Sequence, residues 1–268
     1  MGLGLLSRAL ILAVVPQSVP ALVFGADDRL TVSSQAGSVF GPIGVLFGGA
    51  VKGHATAFLV DACHVLTVRH AFGAAGPVVG LHATFAAGVS GESRNWTLAE
   101  ARVVEAGDAT STDVSASGDW ALLRLSNCLG KRFGTALLSN RKLLRGHPIQ
   151  LAGYPSDRNF AAGLILDPDC QVRSIGQDGS IGHDCATQPG NSGSPLFDVV
   201  EVRGKKRLLV HGMNYAGHSY GVPGANLQSP VTSFHSTYAA RALPISQVSE
   251  SSTLVSSRSP VVRRLAPL

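Results

Sequence analysis

The most constraining feature of this sequence is a series of short apolar runs, often β-branched, separated by Gly, Pro, Asn and Asp. Strands of this length with frequent turn signals are typical of antiparallel sandwiches and barrels. Helical periodicity is scarce, and the best helix candidate is Val231 to Arg241, after Pro230. The pattern predicts an all-β fold with a short C-terminal helix. The clearest runs are Ile43–Phe47, Thr56–Val60, Val65–Val68, Trp120–Leu125, Ile149–Ala152, Gln171–Ile175, Pro195–Val199 and Leu208–His211.

The two ends of the chain differ from its middle. Met1 to Val15 holds one basic residue, Arg8, and an apolar run that Pro16 ends. This run is shorter than the about 20 residues of a membrane span, and small residues at 21–26 suit a cleavage site. An uncleaved membrane anchor is the alternative. We predict a signal peptide at 1–26, one domain at 27–243 and a flexible tail at 244–268, hence a secreted or periplasmic protein without stable membrane insertion.

The positive charge of the chain is concentrated at its ends. Lys and Arg number 22 against 17 Asp and Glu, which gives a net charge of +5. The leader and residues 241–268 together hold four of these five net charges. The remaining chain is almost neutral, so a dedicated phosphate-binding surface is not expected. We predict no nucleic-acid partner.

Three segments carry residues suited to catalysis. Thr56 to His70 reads as two strands around a tight turn that deliver His70 at a strand end, and Asp119 opens the apolar run Trp120–Leu125. Either residue alone is more often structural, because both can satisfy local backbone groups. The third segment, Gly-Asn-Ser-Gly-Ser-Pro, is more specific, because its glycines permit backbone conformations closed to other residues and let amides converge beside Ser192. An ordinary glycine-rich turn remains the alternative.

Together the three residues supply the groups that acyl transfer needs. A serine hydroxyl is a poor nucleophile without an adjacent base, and imidazole has a pKa near neutrality. A buried carboxylate holds that base in one tautomer. On this interpretation Ser192 attacks the scissile carbonyl, His70 transfers the proton and Asp119 orients His70. The amides of Gly190 and Ser192 form the oxyanion hole.

In these motifs, and in their order, the chain resembles the chymotrypsin-like (trypsin-like) serine peptidases, in particular the secreted bacterial branch that includes the glutamyl endopeptidases. The resemblance runs from about Asp27 to Leu243. It implies two perpendicular six-stranded antiparallel β-barrels, with His70 and Asp119 on the first and Ser192 on the second. It also implies a serine-type endopeptidase that acts on protein or peptide substrates, as a monomer and without a cofactor.

Some family features are altered. The family usually has Thr-Ala-Ala-His, whereas this chain has Thr-Val-Arg-His, with the charged Arg69 beside His70. The activation motif Ile-Val-Gly-Gly is missing. Asn191 precedes the nucleophile, where the digestive enzymes carry an Asp that pairs with a freed N-terminus. Activation of that kind is therefore not expected, and Asn at this position agrees with the bacterial branch.

By resemblance, the primary specificity pocket has two walls. Thr187 stands where the glutamyl branch has Thr, but Asn214 stands where that branch has His; a shifted alignment would bring in His211 or His218 instead. Asp184 is displaced from the base of a trypsin-like pocket. We expect a small or neutral polar P1 residue, or Glu. The wall residues are Ala186, Thr187 and Gln188 on one side and Asn214, Tyr215, Ala216 and Gly217 on the other.

Four cysteines in an exported chain suit two disulfides, in any of three connectivities. A hairpin centred on Gln177–Asp178 would place Cys170 opposite Cys185. The family topology implies that the strands near Cys63 and Cys128 are neighbours. We therefore predict the pairs Cys63–Cys128 and Cys170–Cys185.

The sequence shows no metal-ligating motif. Neither His-Glu-x-x-His nor Cys-x-x-Cys spacing occurs, so we interpret its scattered histidines, His147 among them, as surface or structural residues and predict no metal. Two other functions stay open. One is a peptidase-like binding module with weak catalysis, suggested by Arg69 and the atypical pocket. The other is an esterase that uses the same three residues.

Overall fold

The structure is a computed structural model that describes residues 27–73, 77–91, 96–107, 118–177, 179–219, 238–244 and 263–264. The predicted signal peptide and most of the predicted tail lie outside these ranges. Among the described residues, no helix has the length and apolar character needed to cross a membrane.

Strands dominate the part of the chain that the structure describes. One helical turn, α1 (Gly130–Phe133), and two short 3-10 turns, Arg69–Phe72 and Phe160–Ala162, interrupt them. The strands are β1 (Leu30–Val32), β2 (Ile43–Phe47), β3 (His54–Leu59), β4 (His64–Thr67), β5 (His82–Ala87), β6 (Thr97–Ala106), β7 (Ala121–Leu125), β8 (Leu137–Leu138), β9 (Pro148–Gly153), β10 (Leu164–Ile175), β11 (Ile181–His183), β12 (Pro195–Val202), β13 (Lys205–Ser219), β14 (Tyr238–Pro244) and β15 (Arg263–Arg264).

The first half of the chain forms a closed six-stranded barrel. Its strands follow the order β2-β3-β4-β7-β6-β5, and β2 pairs with β5 to close it. Strand β6 shows the alternation that a barrel requires: Ala99, Ala101 and Val103 are buried, whereas Glu100 and Arg102 between them are exposed. This period of two places apolar side chains inside and charged ones outside.

The second half forms a nine-stranded sheet. In it β12, β9, β10, β11, β14 and β13 pair in succession, and β13 also pairs with β12, so these six strands pair in a ring. Strand β1 adds to β10, β8 to β13 and β15 to β12. The described chain thus contains one closed barrel and a second, larger sheet, and the expectation of two six-stranded barrels is confirmed only for the first.

One apolar core joins the two halves. It combines barrel residues such as Phe40 and Ile43 with residues of β12 and β13, including Phe197 and Met213. Phe40 and Phe197 meet edge to face with their ring centroids 6.1 Å apart. This shared core fixes the position of β12, and therefore of the loop before it, relative to the barrel.

The expected helix at Val231 to Arg241 is not confirmed. Residues 238–244 form strand β14, paired with β11 and β13, and 231–237 lie outside the described residues. Strand β13 pairs along all of β14, and β11 pairs with residues 240–242 on the other side, so sheet hydrogen bonds override weak helical periodicity. In the predicted tail, Arg263–Arg264 pairs with Glu201 and Val200 of β12.

Candidate active site

The ends of two neighbouring barrel strands bring His70 and Asp119 together. Strand β4 is antiparallel to β7, with Thr67 opposite Ala121, so the residues after Thr67 and before Ala121 lie at the same barrel edge. The turn before β4 is held by Asp61, whose Oδ1 accepts the amides of Cys63 at 2.7 Å and His64 at 2.8 Å. This Asx-type turn sets where β4 starts and therefore where His70 emerges.

The structure links Asp119, His70 and Ser192 in one hydrogen-bonded chain. Asp119 Oδ2 lies 2.6 Å from His70 Nδ1, and His70 Nε2 lies 3.0 Å from Ser192 Oγ. Asp119 is buried, with 1 % of its surface exposed. A buried carboxylate accepts a hydrogen bond from Nδ1, which leaves Nε2 as an acceptor for the serine hydroxyl. The arrangement can therefore transfer a proton from Ser192 to His70.

Two glycines shape the loop that carries Ser192. Gly190 has φ +94° and Gly193 has φ +88°, a backbone region that other residues rarely adopt. A Cβ on Gly190 would collide with the Tyr154 carbonyl and the His54 ring, and one on Gly193 would collide with the Thr56 carbonyl. The loop can approach the barrel this closely only because both positions lack a side chain.

Thr56 of β3 anchors this loop, a role that the sequence analysis did not identify. Its amide donates to the Ser192 carbonyl at 2.8 Å, and its Oγ1 donates to the Gly190 carbonyl at 2.9 Å. The same Oγ1 accepts the Tyr154 amide at 3.0 Å. One threonine of the first barrel thus holds both ends of the Gly190–Ser192 segment.

The amides proposed for the oxyanion hole carry no competing bond. Among the described residues, no hydrogen bond joins the amide of Gly190 or that of Ser192 to another group. The carbonyls of the same two residues are instead held by Thr56. This leaves both N–H groups available to an oxygen next to Ser192.

A family model for the trypsin-like peptidase domain matches residues 55–203, which include His70, Asp119 and Ser192. This chain belongs to the trypsin-like peptidase family. No curated protein matches the peptidase significantly by sequence.

Solved structures similar to this peptidase share its fold. A Glu endopeptidase solved in complex with MPD superposes with a TM-score of 0.63 at 16 % identity, covering 85 % of this chain and 96 % of that one. Protease Anisep from Arthrobacter nicotinovorans gives 0.56 at 16 % identity, covering 82 % and 97 %. A serine endoprotease from Yersinia pestis gives 0.52 at 15 % identity, covering 78 % and 60 %. The peptidase therefore has the chymotrypsin-like fold of these proteins.

Two of the departures from the family pattern can be located in the peptidase. Arg69 is buried, so its side chain lies against the protein instead of extending into solvent. Asn191 is also buried; its amide donates to the Gln188 carbonyl at 2.9 Å and its carbonyl accepts Asn214 Nδ2 at 3.0 Å. Both of these hydrogen bonds are made by the Asn191 backbone, and its side-chain Oδ1 lacks a hydrogen-bond partner among the described residues.

The predicted pocket walls lie on either side of this Asn191. Ala186, Thr187 and Gln188 precede it, and Asn214 and Tyr215 of β13 are buried beyond it. Thr187 Oγ1, Gln188 Nε2 and Asn214 Oδ1 are buried and lack hydrogen-bond partners among the described residues. Ala216 and Gly217 continue β13, where they pair with Arg241 and Ala240 of β14.

The register of β13 settles which residue faces the nucleophile loop. The Asn214 carbonyl accepts the Gly193 amide at 2.7 Å, and its amide donates to the Ser194 carbonyl at 2.8 Å. His211 lies beside Asp198 instead. The shifted alignment that would place His211 in the pocket is therefore not observed.

A histidine that the sequence analysis missed lies next to Asn214. His183 of β11 is fully buried, and burial lowers its pKa to about 4 although Asn214 acts in the opposite direction. It is therefore neutral at physiological pH. No short motif marks it, since only the pairing of β11, β14 and β13 brings it close.

Asp167 supports the pocket wall from behind. Its Oδ2 accepts the Ala186 amide at 2.6 Å. Burial raises the pKa of Asp167 to about 6, against the lowering effect of that amide. The position of Ala186 is thus coupled to a carboxyl group that titrates in the mildly acidic range.

The structure places both predicted cysteine pairs at disulfide distance. Cys63 and Cys128 connect the turn before β4 to the segment after β7. Cys170 and Cys185 bridge the β10–β11 hairpin. Val172 faces His183 as in the predicted register, but a register shift beyond Val172 places Ser174 opposite Gly182 and Ile175 opposite Ile181, one residue off that prediction. No other cysteine remains.

Proposed function

We propose that this protein is a secreted serine endopeptidase that hydrolyses peptide bonds through a Ser-His-Asp triad and an acyl-enzyme intermediate. The observation that carries the proposal is the hydrogen-bonded chain from Asp119 through His70 to Ser192. A serine that merely stabilised a turn would need neither a histidine base at 3.0 Å nor a buried carboxylate behind that base.

In the proposed mechanism, Ser192 Oγ attacks the scissile carbonyl while its proton passes to His70 Nε2. Asp119 stabilises the resulting imidazolium, which then protonates the leaving amine. Water repeats the sequence to release the acyl group. The amides of Gly190 and Ser192 stabilise the oxyanion, an effect of roughly 3 kcal/mol per donor.

We expect the enzyme to accept a small or neutral polar P1 residue, or Glu. Thr187 and Gln188 supply one wall with a hydroxyl and an amide that lack hydrogen-bond partners among the described residues, and Asn214 supplies an amide oxygen to the other. Buried polar atoms are costly unless a ligand satisfies them, which favours a P1 side chain that can form hydrogen bonds. Because His183 is neutral behind this wall, the pocket holds no fixed positive charge from it.

Export is part of the same proposal. Two cysteine pairs at disulfide distance suit an oxidising compartment, and residues 1–26 are predicted to be a signal peptide. The substrates would then be proteins or peptides outside the cytoplasm, and the enzyme would act as a monomer.

The test is labelling by a fluorophosphonate probe together with peptide-library cleavage. We expect the mature wild-type protein to label and to cleave internal peptide bonds, and Ser192→Ala to do neither. Ser194→Ala is the matched control, because it removes a hydroxyl from the same motif and should keep the label. A wild-type protein that does not label would support a binding module instead, and labelling with hydrolysis of esters alone would support an esterase.

A further inference from the structure

Three side chains outside the active site converge in the second sheet. His147 directly precedes β9, Asp198 belongs to β12 and His211 belongs to β13. Asp198 Oδ2 lies 3.1 Å from His211 Nε2 and 3.6 Å from His147 Nε2. The three ligand-type atoms all lie within 4.8 Å of one another.

The sheet directs His211 toward this cluster through a β-bulge. Leu196 pairs with Gly212, but the next residue, Phe197, pairs with Val210, so His211 is the extra residue of β13. A bulge changes the direction of a side chain relative to regular alternation. Here the bulged residue, His211, lies beside Asp198.

The burial of His211 leaves its ring without adequate hydrogen bonds. Only 1 % of its side chain is exposed, against 12 % for Asp198 and 19 % for His147. Neither ring nitrogen makes a hydrogen bond of good geometry within the described residues, although Nε2 faces the carboxylate. Buried polar nitrogens normally have partners, and a cation bound between Nε2 and the Asp198 carboxylate would provide one for Nε2.

The spacing suits a four-coordinate transition metal. With bonds of about 2.0 to 2.1 Å, two ligand atoms of a tetrahedral zinc site lie about 3.3 Å apart. The two Asp198 distances are close to this value. Two imidazoles and one carboxylate are ligands that zinc prefers, and the more exposed side of the cluster, at His147, leaves room for water as a fourth ligand.

We propose that His147, Asp198 and His211 form a binding site for Zn²⁺ or a similar divalent transition metal. The site shares no residue with the Ser-His-Asp triad. The ion would tie the segment before β9 to β12 and β13 and so stabilise the sheet that carries Ser192. The sequence analysis interpreted His147 as surface or structural, because ligands this far apart along the chain form no recognisable motif.

The site is tested by zinc titration of tagless full-length mature protein in a Ser192→Ala background, which prevents self-digestion and makes the result independent of the proposed activity. After chelator treatment, calorimetry should show one Zn²⁺ per chain, and the ion should raise Tm. Asp198→Asn keeps the shape of the side chain but should weaken binding roughly tenfold or more. Glu100→Gln, which alters the exposed pair of Glu100 with His82 in the first barrel, is the matched control and should bind as the parent does.

A second readout separates loss of the site from loss of the fold. Cobalt(II) should give the visible absorption of a four-coordinate ion with nitrogen and oxygen ligands, and His147→Ala, at the most exposed ligand, should abolish it with an unchanged circular dichroism spectrum. Absence of stoichiometric binding would overturn the proposal. Equal affinity in the parent, Asp198→Asn and His147→Ala would also overturn it, since the ion would then be adventitious.

Discussion

Asp119 holds His70 by two separate contacts: Oδ1 accepts the His70 amide at 2.9 Å, and Oδ2 lies 2.6 Å from Nδ1. The carboxylate therefore fixes both the backbone and the ring of the same residue. The first contact is structural, whereas the second selects the tautomer in which Nε2 is free to accept a proton.

Asp119→Asn should separate these two functions. The amide oxygen can still accept the His70 amide, but the NH₂ group opposite Nδ1 favours the tautomer with hydrogen on Nε2. We expect a loss in kcat of roughly 10⁴-fold with little change in Tm. Steady-state hydrolysis and circular dichroism measure the two quantities. A variant within tenfold of wild type would show that Asp119 does not orient the base.

Gly190→Ala should be far more damaging than Gly146→Ala. Both glycines have positive φ, +94° and +82°, so both substitutions introduce backbone strain of about 1 kcal/mol. Only the Cβ at 190 meets other groups, the Tyr154 carbonyl and the His54 ring, whereas none lies within 4 Å at 146. We expect Gly146→Ala to keep its activity and Gly190→Ala to lose activity and further stability, measured as kcat/KM and urea midpoint. Equal losses would mean that the close approach at Gly190 is unimportant.

Thr56→Val should displace the nucleophile loop while preserving side-chain volume. It removes the hydroxyl that donates to the Gly190 carbonyl and accepts the Tyr154 amide, leaving buried groups unpaired at a cost of about 1 to 3 kcal/mol. We expect reduced stability and a lower rate of fluorophosphonate labelling. Thr56→Ser, which keeps the hydroxyl, should restore the labelling rate. Failure of this rescue would argue that packing of the methyl group matters more.

The two disulfides should contribute unequally to stability. Cys63–Cys128 spans 65 residues and Cys170–Cys185 spans 15. Chain-entropy estimates give about 4 and about 3 kcal/mol for loops of these lengths. Denaturant unfolding of the two double Cys→Ser variants should show this order. Non-reduced peptide mapping of the wild type should yield these two linked pairs, and any crossed pair would refute the assignment.

Asp167 should make stability decrease as the pH rises from about 4 to 6. Its folded-state pKa is raised to about 6, so the folded protein retains a proton that the unfolded chain releases near pH 4. The favourable contribution, up to about 3 kcal/mol, is present at pH 4 and lost by about pH 6. Buried His183 has the opposite slope over pH 4 to 6.5, because its pKa is lowered. Both wild type and Asp167→Asn contain His183, so the difference between their free energies of unfolding reports the contribution of Asp167 alone.

Urea unfolding of Asp167→Asn and wild type at several pH values tests the pH dependence attributed to Asp167. The stability of the variant relative to wild type should rise between pH 4 and pH 6, since Asn has no carboxyl group to ionise. Asp169→Asn, at an exposed position of the same strand, is the control. If the free energies of unfolding of Asp167→Asn and wild type differ by the same amount at every pH, the raised pKa of Asp167 is contradicted.

Local patterns in the sequence predicted much of this molecule. The run Ile43–Phe47 coincides with β2, and the turn-and-strand segment up to His70 forms β3 and β4. Such features are contained in a few consecutive residues, where hydrophobicity and turn chemistry act directly. Strand β6 was not among the predicted runs because the outward residues Glu100 and Arg102 are charged, which interrupts an apolar run without disturbing the alternation that forms a strand.

Features that depend on distant pairing could not be predicted in the same way. Thr56 and the nucleophile loop that it binds are separated along the sequence by more than half the length of the domain. His183 lies close to Asn214 only because β11, β14 and β13 are neighbours in the sheet. Nothing near these residues in the sequence indicates their neighbours. The same holds for Tyr238 to Arg241, the end of the helix predicted from Val231 to Arg241. These residues instead belong to β14 and pair with β13 and in part with β11.

The closed barrel supplies His70 and Asp119, whereas Ser192 precedes a strand of the other sheet. During synthesis the ribosome releases the barrel first, and the nucleophile emerges only afterwards. With the proposed roles, a nascent chain that still lacks Ser192 has no nucleophile and cannot cleave itself or other proteins. With the same roles, hydrolysis also requires β12 to be in place against the barrel, because the loop that carries Ser192 leads directly into this strand.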